Sequence, residues 1–488
     1  MSAAEKGLAL SYKPTHLMIA IAIMAMVFLL PPVVGLPVSA QRILGVLAFA
    51  VYVWVSEAMP YPVSAIAITF LMIMCLGTAP GHEGHLLGTA KAIPMAMSGF
   101  INSGWVLVAA GLFLAEAVRS VGLDRRIALR ILRVVGTKPC AIIGGIVIAN
   151  YLLAFIIPSI AARAAAVVPI SMGLIKALNI DYKSAFARQL MVVTGIMSHI
   201  TAIFVLTGGA PNPFTVSQLN TALGINITWM QWFIWFGPFA ICLGILFFLL
   251  VVGLNKFEPL KGGKQLVEQL VHEMGPMSVD EKKIAWIFSL TIVLWCTENL
   301  HHIDANTVTV FAVLLLFMPY IGVATWKQLS SKVEWGTLIL FGVGISIGEV
   351  LFKTGAAAWV AKTTLGGLGL EHMSPFGMVA AMAVPLVVMR MAFASDVAMA
   401  ALVIPTLLGL FSSFHIPGLP IGGLTMVTSF CVYYSFILPV NTPAAMMAYA
   451  TGTFELKDMF KVGIPLTVLG IALFLLFVKT YWHWVGLV

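Results

Sequence analysis

Apolar stretches of roughly 20 residues, each long enough to cross the hydrocarbon core of a bilayer as a helix, recur from Leu17 to the carboxyl terminus with little polar sequence between them. Backbone amides and carbonyls cannot stay unpaired in lipid. Helices are therefore the expected spanning elements, and a break inside an apolar stretch must be buried in protein or line a wet cavity. Only 9% of the 488 residues are charged and 60% are apolar, against about a quarter charged in a soluble domain, which excludes a water-soluble globule. The formal net charge is +8, but the basic residues cluster in short loops rather than on a face that could track phosphates. No nucleic-acid partner is expected; the lipid bilayer is. Cys75, Cys140, Cys242, Cys296 and Cys431 lie far apart, without the paired spacing of a disulfide framework or a metal site, so no metal is expected.

The first apolar segment, residues 17–36, comes after Lys6 and Lys13 and precedes Val38-Ser39-Ala40, a sequence like a signal-peptidase site. Its length favours a retained first helix with the amino terminus in the cytoplasm. Residues 119–138 carry Arg119, Arg125, Arg126, Arg130, Arg133 and Lys138 against one acid, Asp124, which marks them as cytoplasmic by the positive-inside bias. The longest polar stretch, residues 255–283, contains Lys256, Lys261, Lys264, Lys282 and Lys283 and divides the chain near its middle. It reads as a cytoplasmic linker.

Corresponding motifs recur on either side of that linker, as related halves require. Ser159-Ile-Ala-Ala-Arg-Ala-Ala-Ala-Val-Val-Pro169 aligns without gaps on Ser395-Asp-Val-Ala-Met-Ala-Ala-Leu-Val-Ile-Pro405. Trp54-Val-Ser-Glu57 echoes Trp295-Cys-Thr-Glu298, and the Pro211 and Pro443 segments both set small residues and proline inside apolar runs. The three echoes keep the same order at nearly the same offset. They divide the chain into a lone first helix (1–38), a first repeat (39–254), the linker (255–283) and a second repeat (284–488). The expected fold is an all-α polytopic membrane protein with about 11 transmembrane helices and two re-entrant hairpins. Five crossings in each repeat make the repeats inverted in topology, with the carboxyl terminus outside and a binding site near the bilayer midplane.

The run 141–157, which ends at Pro158, is too short for two crossings and reads as a re-entrant hairpin; residues 375–394, with Pro385, are its counterpart. After each, a helix begins inside the membrane at a serine, exposing amide groups and the positive end of its dipole. Two such termini facing each other suit an anion with two charged ends. The breaks at Pro211 and Pro443 free carbonyls that could coordinate a small cation. Ser159 and Ser395 also read more simply as N-caps, and the prolines as kinks.

Charges within apolar runs cost at least about 2.5 to 3.5 kcal/mol, so each must face a partner or a cavity. Arg163 lies one helical turn after Ser159 and either binds a substrate carboxylate or sulfonate or pairs with Asp396. Asp396 could ligate sodium, carry a proton or cap its helix. His199, Thr201 and Arg390 are further candidates, with His199 able to touch substrate or rest on a backbone carbonyl. Glu116 with Arg119, and Glu349 with Lys353, read as intrahelical pairs, and Glu57 and Glu298 as braces near helix ends.

At these residues the chain resembles the divalent anion/sodium symporter family, whose members carry Ser-Asn-Thr motifs at two hairpin tips and a Thr-Pro-Pro-like loop in each half. Trp54-Val-Ser-Glu57-Ala-Met-Pro60, Gly209-Ala210-Pro211-Asn212 and Asn441-Thr442-Pro443 carry the likeness. Arg163 occupies the arginine position of the citrate/succinate and 2-oxoglutarate/malate exchanger branch, the nearest match. The resemblance implies a homodimer with a fixed scaffold domain and a mobile transport domain moving as an elevator. It implies substrate contacts at Ser159, Ile160, Ala161, Arg163, Pro211, Asn212, Ser395, Asp396, Val397, Thr442 and Pro443. Coupling to an ion, with Na+ as the candidate, would fall to Ser159, Gly208, Ser395, Asp396 and Asn441. The motifs depart from the family in Ile160-Ala161 and Asp396-Val397.

The expected activity is secondary transport of small organic anions across a bacterial-type inner membrane, by exchange or cation-coupled symport. Di- and tricarboxylates are favoured, with sulfonates or sulfate as the alternative. No phosphate-binding G-x-x-x-x-G-K-[ST] loop is present, so the energy must come from a gradient, and no cofactor is expected. An intramembrane enzyme is the rival from another class, but no His-Glu-x-x-His metal motif occurs and no nucleophile elbow is expected. An anion channel is the other rival.

Overall fold

Helices begin where the sequence supplies a residue that suits the first turn. Pro14, Pro139, Pro211, Pro375 and Pro443 open helices at a position whose amide would lack an intrahelical acceptor anyway. Ser159, Ser184, Ser395 and Thr442 each accept a bond from the backbone amide three residues on, while Thr228 with Gln231 and Ser278 with Glu281 close reciprocal capping boxes.

The computed structural model of the chain describes residues 12–32, 36–80, 86–136, 138–258, 268–269, 271–365, 369–414 and 416–488. Lys6, and Lys261 and Lys264 of the expected linker, lie outside them. The first half runs through α1 (Pro14–Leu29), α2 (Val38–Ser56), α3 (Tyr61–Gly77), α4 (Thr89–Ala96), α5 (Ser103–Val121), α6 (Leu123–Val135), α7 (Pro139–Ile156), α8 (Ile160–Ala177), α9 (Ala185–Ile200), α10 (Pro211–Leu223) and α11 (Trp229–Leu254). The second runs through α12 (Val279–Cys296), α13 (Ala305–Phe317), α14 (Trp335–Lys353), α15 (Ala356–Leu365), α16 (Pro375–Arg390), α17 (Asp396–Ser413), α18 (Ile421–Ser429), α19 (Pro443–Ala450) and α20 (Leu456–Lys479). Among the described residues the only β feature is an isolated bridge between Pro80 and Leu86. Seven helices among the same residues are long and apolar enough to cross a membrane, and shorter apolar helices of 10–17 residues lie among them.

The hairpins differ from the sequence expectation. Residues 141–157 do not fold back on themselves: α7 is one unbroken helix of 18 residues, because neither its paired glycines nor Asn150, whose side chain bonds back to Ile146 O at 2.9 Å, interrupts the ladder. α7 stops at Ile156 and α8 starts at Ile160, so the break falls at residues 157–159. α16 and α17 are likewise separated, by residues 391–395, with Ser395 as the cap. Val38-Ser39-Ala40 forms the first turn of α2.

The two breaks are equally local. α9 ends at Ile200, residues 201–210 run through a 3-10 turn at Leu206–Gly208, and helix resumes at Pro211. α18 gives way to 3-10 turns at Phe430–Tyr433 and Pro439–Asn441 before helix resumes at Pro443. Each resumed helix packs on the other half, α10 against α14 and α17, and α19 against α8 and α9. This interdigitation brings both hairpin tips to one place.

At one end of the bundle the two basic segments meet. Arg126 of α6 donates to Glu281 Oε1 at 2.6 Å and to Gly275 O at 2.8 Å, with both side chains buried.

Candidate functional site

Ser159 and Ser395 open on the same cavity, a space of about 300 Å³. Both hydroxyls serve as N-caps, accepting from Ala162 N at 3.2 Å and Ala398 N at 3.3 Å. The remaining first-turn amides of α8 and α17 are the positive ends of two helices directed at one space. Of the residues singled out in the sequence, Ser159, Ile160, Ala161, Pro211, Ser395, Asp396, Val397 and Pro443 line it. Ile160 and Val397, where the family motif has polar residues, help make the wall largely apolar.

Arg163, Asn212 and Thr442, expected to touch substrate, do not line the cavity. Arg163 is fully buried and spent on the backbone: Nη1 donates to Ile157 O and Gly208 O, both at 2.6 Å, and Nη2 to Ser198 O at 2.7 Å. It does not pair with Asp396. Asn212 donates to Ala202 O (2.7 Å) and Val205 O (2.9 Å), holding the first break, and Thr442 caps α19 through Ala445 N at 3.0 Å. Thr201 turns its hydroxyl to Met197 O at 2.8 Å.

Asp396 has two other partners. Arg390 Nη2 donates to its Oδ1, and His199 Nε2 lies 3.1 Å from Oδ2. The histidine therefore rests on a carboxylate rather than on a backbone carbonyl. Arg390, fully buried, also donates from Nη1 to Phe393 O at 2.5 Å and from Nη2 to Asn441 O at 2.8 Å. Asn441 returns bonds through Nδ2 to Met391 O and Phe393 O, both at 2.9 Å.

The two arginines do the same thing from different places. Ile157 and Phe393 each lie two residues before the tip serine, and Gly208 and Asn441 each end the 3-10 turn of the break. In both halves one guanidinium joins the tip carbonyl to the break carbonyl, although Arg163 lies four residues after its serine and Arg390 five before its own. The carbonyls expected to hold a cation are already hydrogen-bonded to a fixed one, whose positive charge opposes sodium at Gly208 or Asn441.

Tyr61, Thr207, Glu334 and Thr337 also line the cavity, and sequence reasoning missed them. Glu334 immediately precedes an apolar run, the only signal available for it. The expected pairs are present, Arg119 with Glu116 at 2.7 Å and Lys353 with Glu349 at 3.2 Å, and Glu57 closes α2 in the left-handed region (φ 49°). Gly344-Ile345-Ser346-Ile347-Gly348 does match the spacing of a nucleophile elbow. It lies within α14, where the buried Ser346 hydroxyl donates to Gly342 O at 3.0 Å and accepts from Gly99 N at 2.9 Å, so no strained turn presents it.

An all-helical membrane chain with hairpin tips and broken helices around one cavity has the architecture of a secondary transporter. Residues 11–488 match the family described as the sodium:sulfate symporter transmembrane region, and the chain belongs to that family, the divalent anion/sodium symporters. It is similar to a membrane protein of Cupriavidus necator, 39% identical over 96% of this chain and 92% of the relative. It is also similar to the sodium-dependent dicarboxylate transporter SdcS of Staphylococcus saprophyticus, 27% identical over 87% of this chain and 83% of that one. Among solved structures, the Alcanivorax borkumensis YdaH transporter shares the fold, with a TM-score of 0.52 and 12% identity over 88% of this chain and 98% of that one. The protein is a multi-pass membrane transporter, not an enzyme.

Proposed function

We propose that the chain is a secondary carrier of small organic anions, dicarboxylates first, that binds its substrate between the tips at Ser159 and Ser395 and moves it with the hairpins as an elevator. One observation carries the reading: two helix amino termini from different halves open on a single cavity. Each contributes roughly half a positive charge, and the apolar wall between them suits a short methylene chain better than a compact inorganic anion. The similarity to SdcS, named as a dicarboxylate transporter, supports the same class.

SdcS is named as sodium-dependent; in this proposal the present carrier departs from it and does not use sodium. Arg163 and Arg390 already hold the carbonyls that a coupling cation would need, a reading in line with the arginine shared with the exchanger branch. The implied homodimer, the inner-membrane location and the cytoplasmic amino terminus belong to the same proposal.

Ligand binding raises apparent stability by mass action. Thermal unfolding of the purified protein with succinate, citrate, isethionate or sulfate, in sodium or choline buffer, is the test. A rise with succinate, equal in the two buffers, is expected. A rise confined to sulfate overturns the substrate class, and a rise that needs sodium overturns the sodium-free reading.

A further inference from the structure

We propose that Glu334 is the proton-coupling residue of this carrier, taking up a proton as a dianion enters the cavity and releasing it as the anion leaves. The inference rests on the carrier reading above and names its driving ion.

Glu334 lines the same cavity as Ser159, Thr337, Tyr61 and Asp396. It occupies the N-cap position of α14, yet its side chain makes no capping bond. Its bond from Thr337 Oγ1 is long, at 3.4 Å, and Ser159, at the amino terminus of α8, lines the same cavity. An acid thus lines the same cavity in which the helix end would receive a substrate carboxylate. Helix capping does not explain it.

The surrounding charges decide which form of the acid a bound anion tolerates. On α5, Arg119 is bonded to Glu116 at 2.7 Å, so the pair adds no net charge. Across the cavity Asp396 is held by Arg390 and His199. Tyr61 offers only a neutral hydroxyl, buried and without a hydrogen-bond partner among the described residues. Behind the tips, Arg163 and Arg390 less Asp396 leave one net positive charge, and the two helix ends add about one more. That matches a dianion when Glu334 is neutral. An ionised Glu334 would leave the site one charge short and set carboxylate against carboxylate, which favours the protonated acid when substrate is bound. The proton comes from the aqueous side the cavity faces, rests on a Glu334 carboxyl oxygen, and returns to water on the other side.

His199 is the competing proton carrier. It is 1% exposed and does not line the cavity, whereas Glu334 meets the incoming anion.

The test uses the full chain in proteoliposomes with labelled succinate, at equal pH and with a proton gradient directed inward. Counterflow at equal pH tests the carrier reading separately. With one proton per anion, accumulation should rise by up to about tenfold per pH unit of gradient. In Glu334→Gln the ratio of gradient-driven to gradient-free uptake should fall to one, and Glu334→Asp should restore it. Counterflow with no gradient response in the wild type overturns this inference while sparing the carrier. So does a Glu334→Gln variant with the wild-type ratio, or loss of the ratio in His199→Asn alone. Failure of counterflow with succinate, citrate, isethionate and sulfate alike overturns both.

Discussion

Tyr433 Oη donates to Asn212 Oδ1 at 2.6 Å, joining the second break to the start of the helix that resumes after the first. Asn212 spends its amide on Ala202 O and Val205 O, so one side chain shapes its own break and docks it to the other half. All of these groups are buried. The contact couples the two broken segments directly, without passing through the cavity.

Removing only that hydroxyl leaves the Asn212 oxygen buried and unmet, which costs about 1–3 kcal/mol. Tyr433→Phe is expected to lower the unfolding midpoint in detergent measurably while keeping the helical content seen by circular dichroism. A midpoint equal to that of the wild type would mean that the two breaks are held together elsewhere.

Arg163 gives a sharper case. Arg163→Ala deprives Ile157 O, Gly208 O and Ser198 O of a donor at once, and a loss of about 3 kcal/mol or more is expected. The freed carbonyls then form an oxygen cradle of the kind that hard cations accept. Sodium should therefore raise the unfolding midpoint of the variant above that in choline, while leaving the wild type unmoved. An equal response of the two proteins would refute the substitution of guanidinium for cation.

Much of this was legible in the sequence because membrane helices obey few rules. Ser159 and Ser395 could be picked out because a polar residue after a proline-marked or proline-bearing apolar run has few uses other than capping a broken helix. The partners of Arg163 were not legible. Its carbonyls come from residues 157, 198 and 208, and only the packing of α8 against α9 and the turn at Leu206–Gly208 brings them together. The likeness of Arg163 to Arg390 was hidden for a related reason: the sequence echo pairs Arg163 with Met399, and the matching role is filled from the opposite side of the serine. Glu334 left no pattern, since a lone acid ahead of an apolar run looks like any helix start.

Asp304 supplies a pH-dependent test outside the site. Its Oδ1 accepts from Asn306 N at 2.9 Å and Thr307 N at 3.1 Å, and its Oδ2 from the Thr307 hydroxyl at 2.6 Å. Burial works to raise its pKa, but the bonds from Thr307 and Asn306 outweigh it and hold the carboxyl below the usual range. A depressed folded pKa stabilises the fold above the ordinary carboxylate pKa, and that contribution is lost as pH falls through the folded value. Asp304→Ala should cost about 1 kcal/mol at neutral pH, with the gap to the wild type closing in acid. A gap that widens on acidification would contradict the cap.

The pair at the end of the bundle is the last test. Arg126 Nε meets Glu281 Oε1 at 2.6 Å, the guanidinium also holds Gly275 O, Met274 O and Pro276 O, and Glu281 accepts from Ser278 N at 2.7 Å to complete its capping box. Arg126→Met strands a buried carboxylate and three carbonyls, and about 3–5 kcal/mol is expected. Glu281→Gln keeps the box but removes the charge, leaving Arg126 with its carbonyls, so it should cost clearly less. The double variant separates charge from geometry: if adding Glu281→Gln relieves much of the Arg126→Met penalty, the stranded charge dominated. If the two effects simply add, the carbonyl bonds from Arg126 are what fasten α6 to the start of α12.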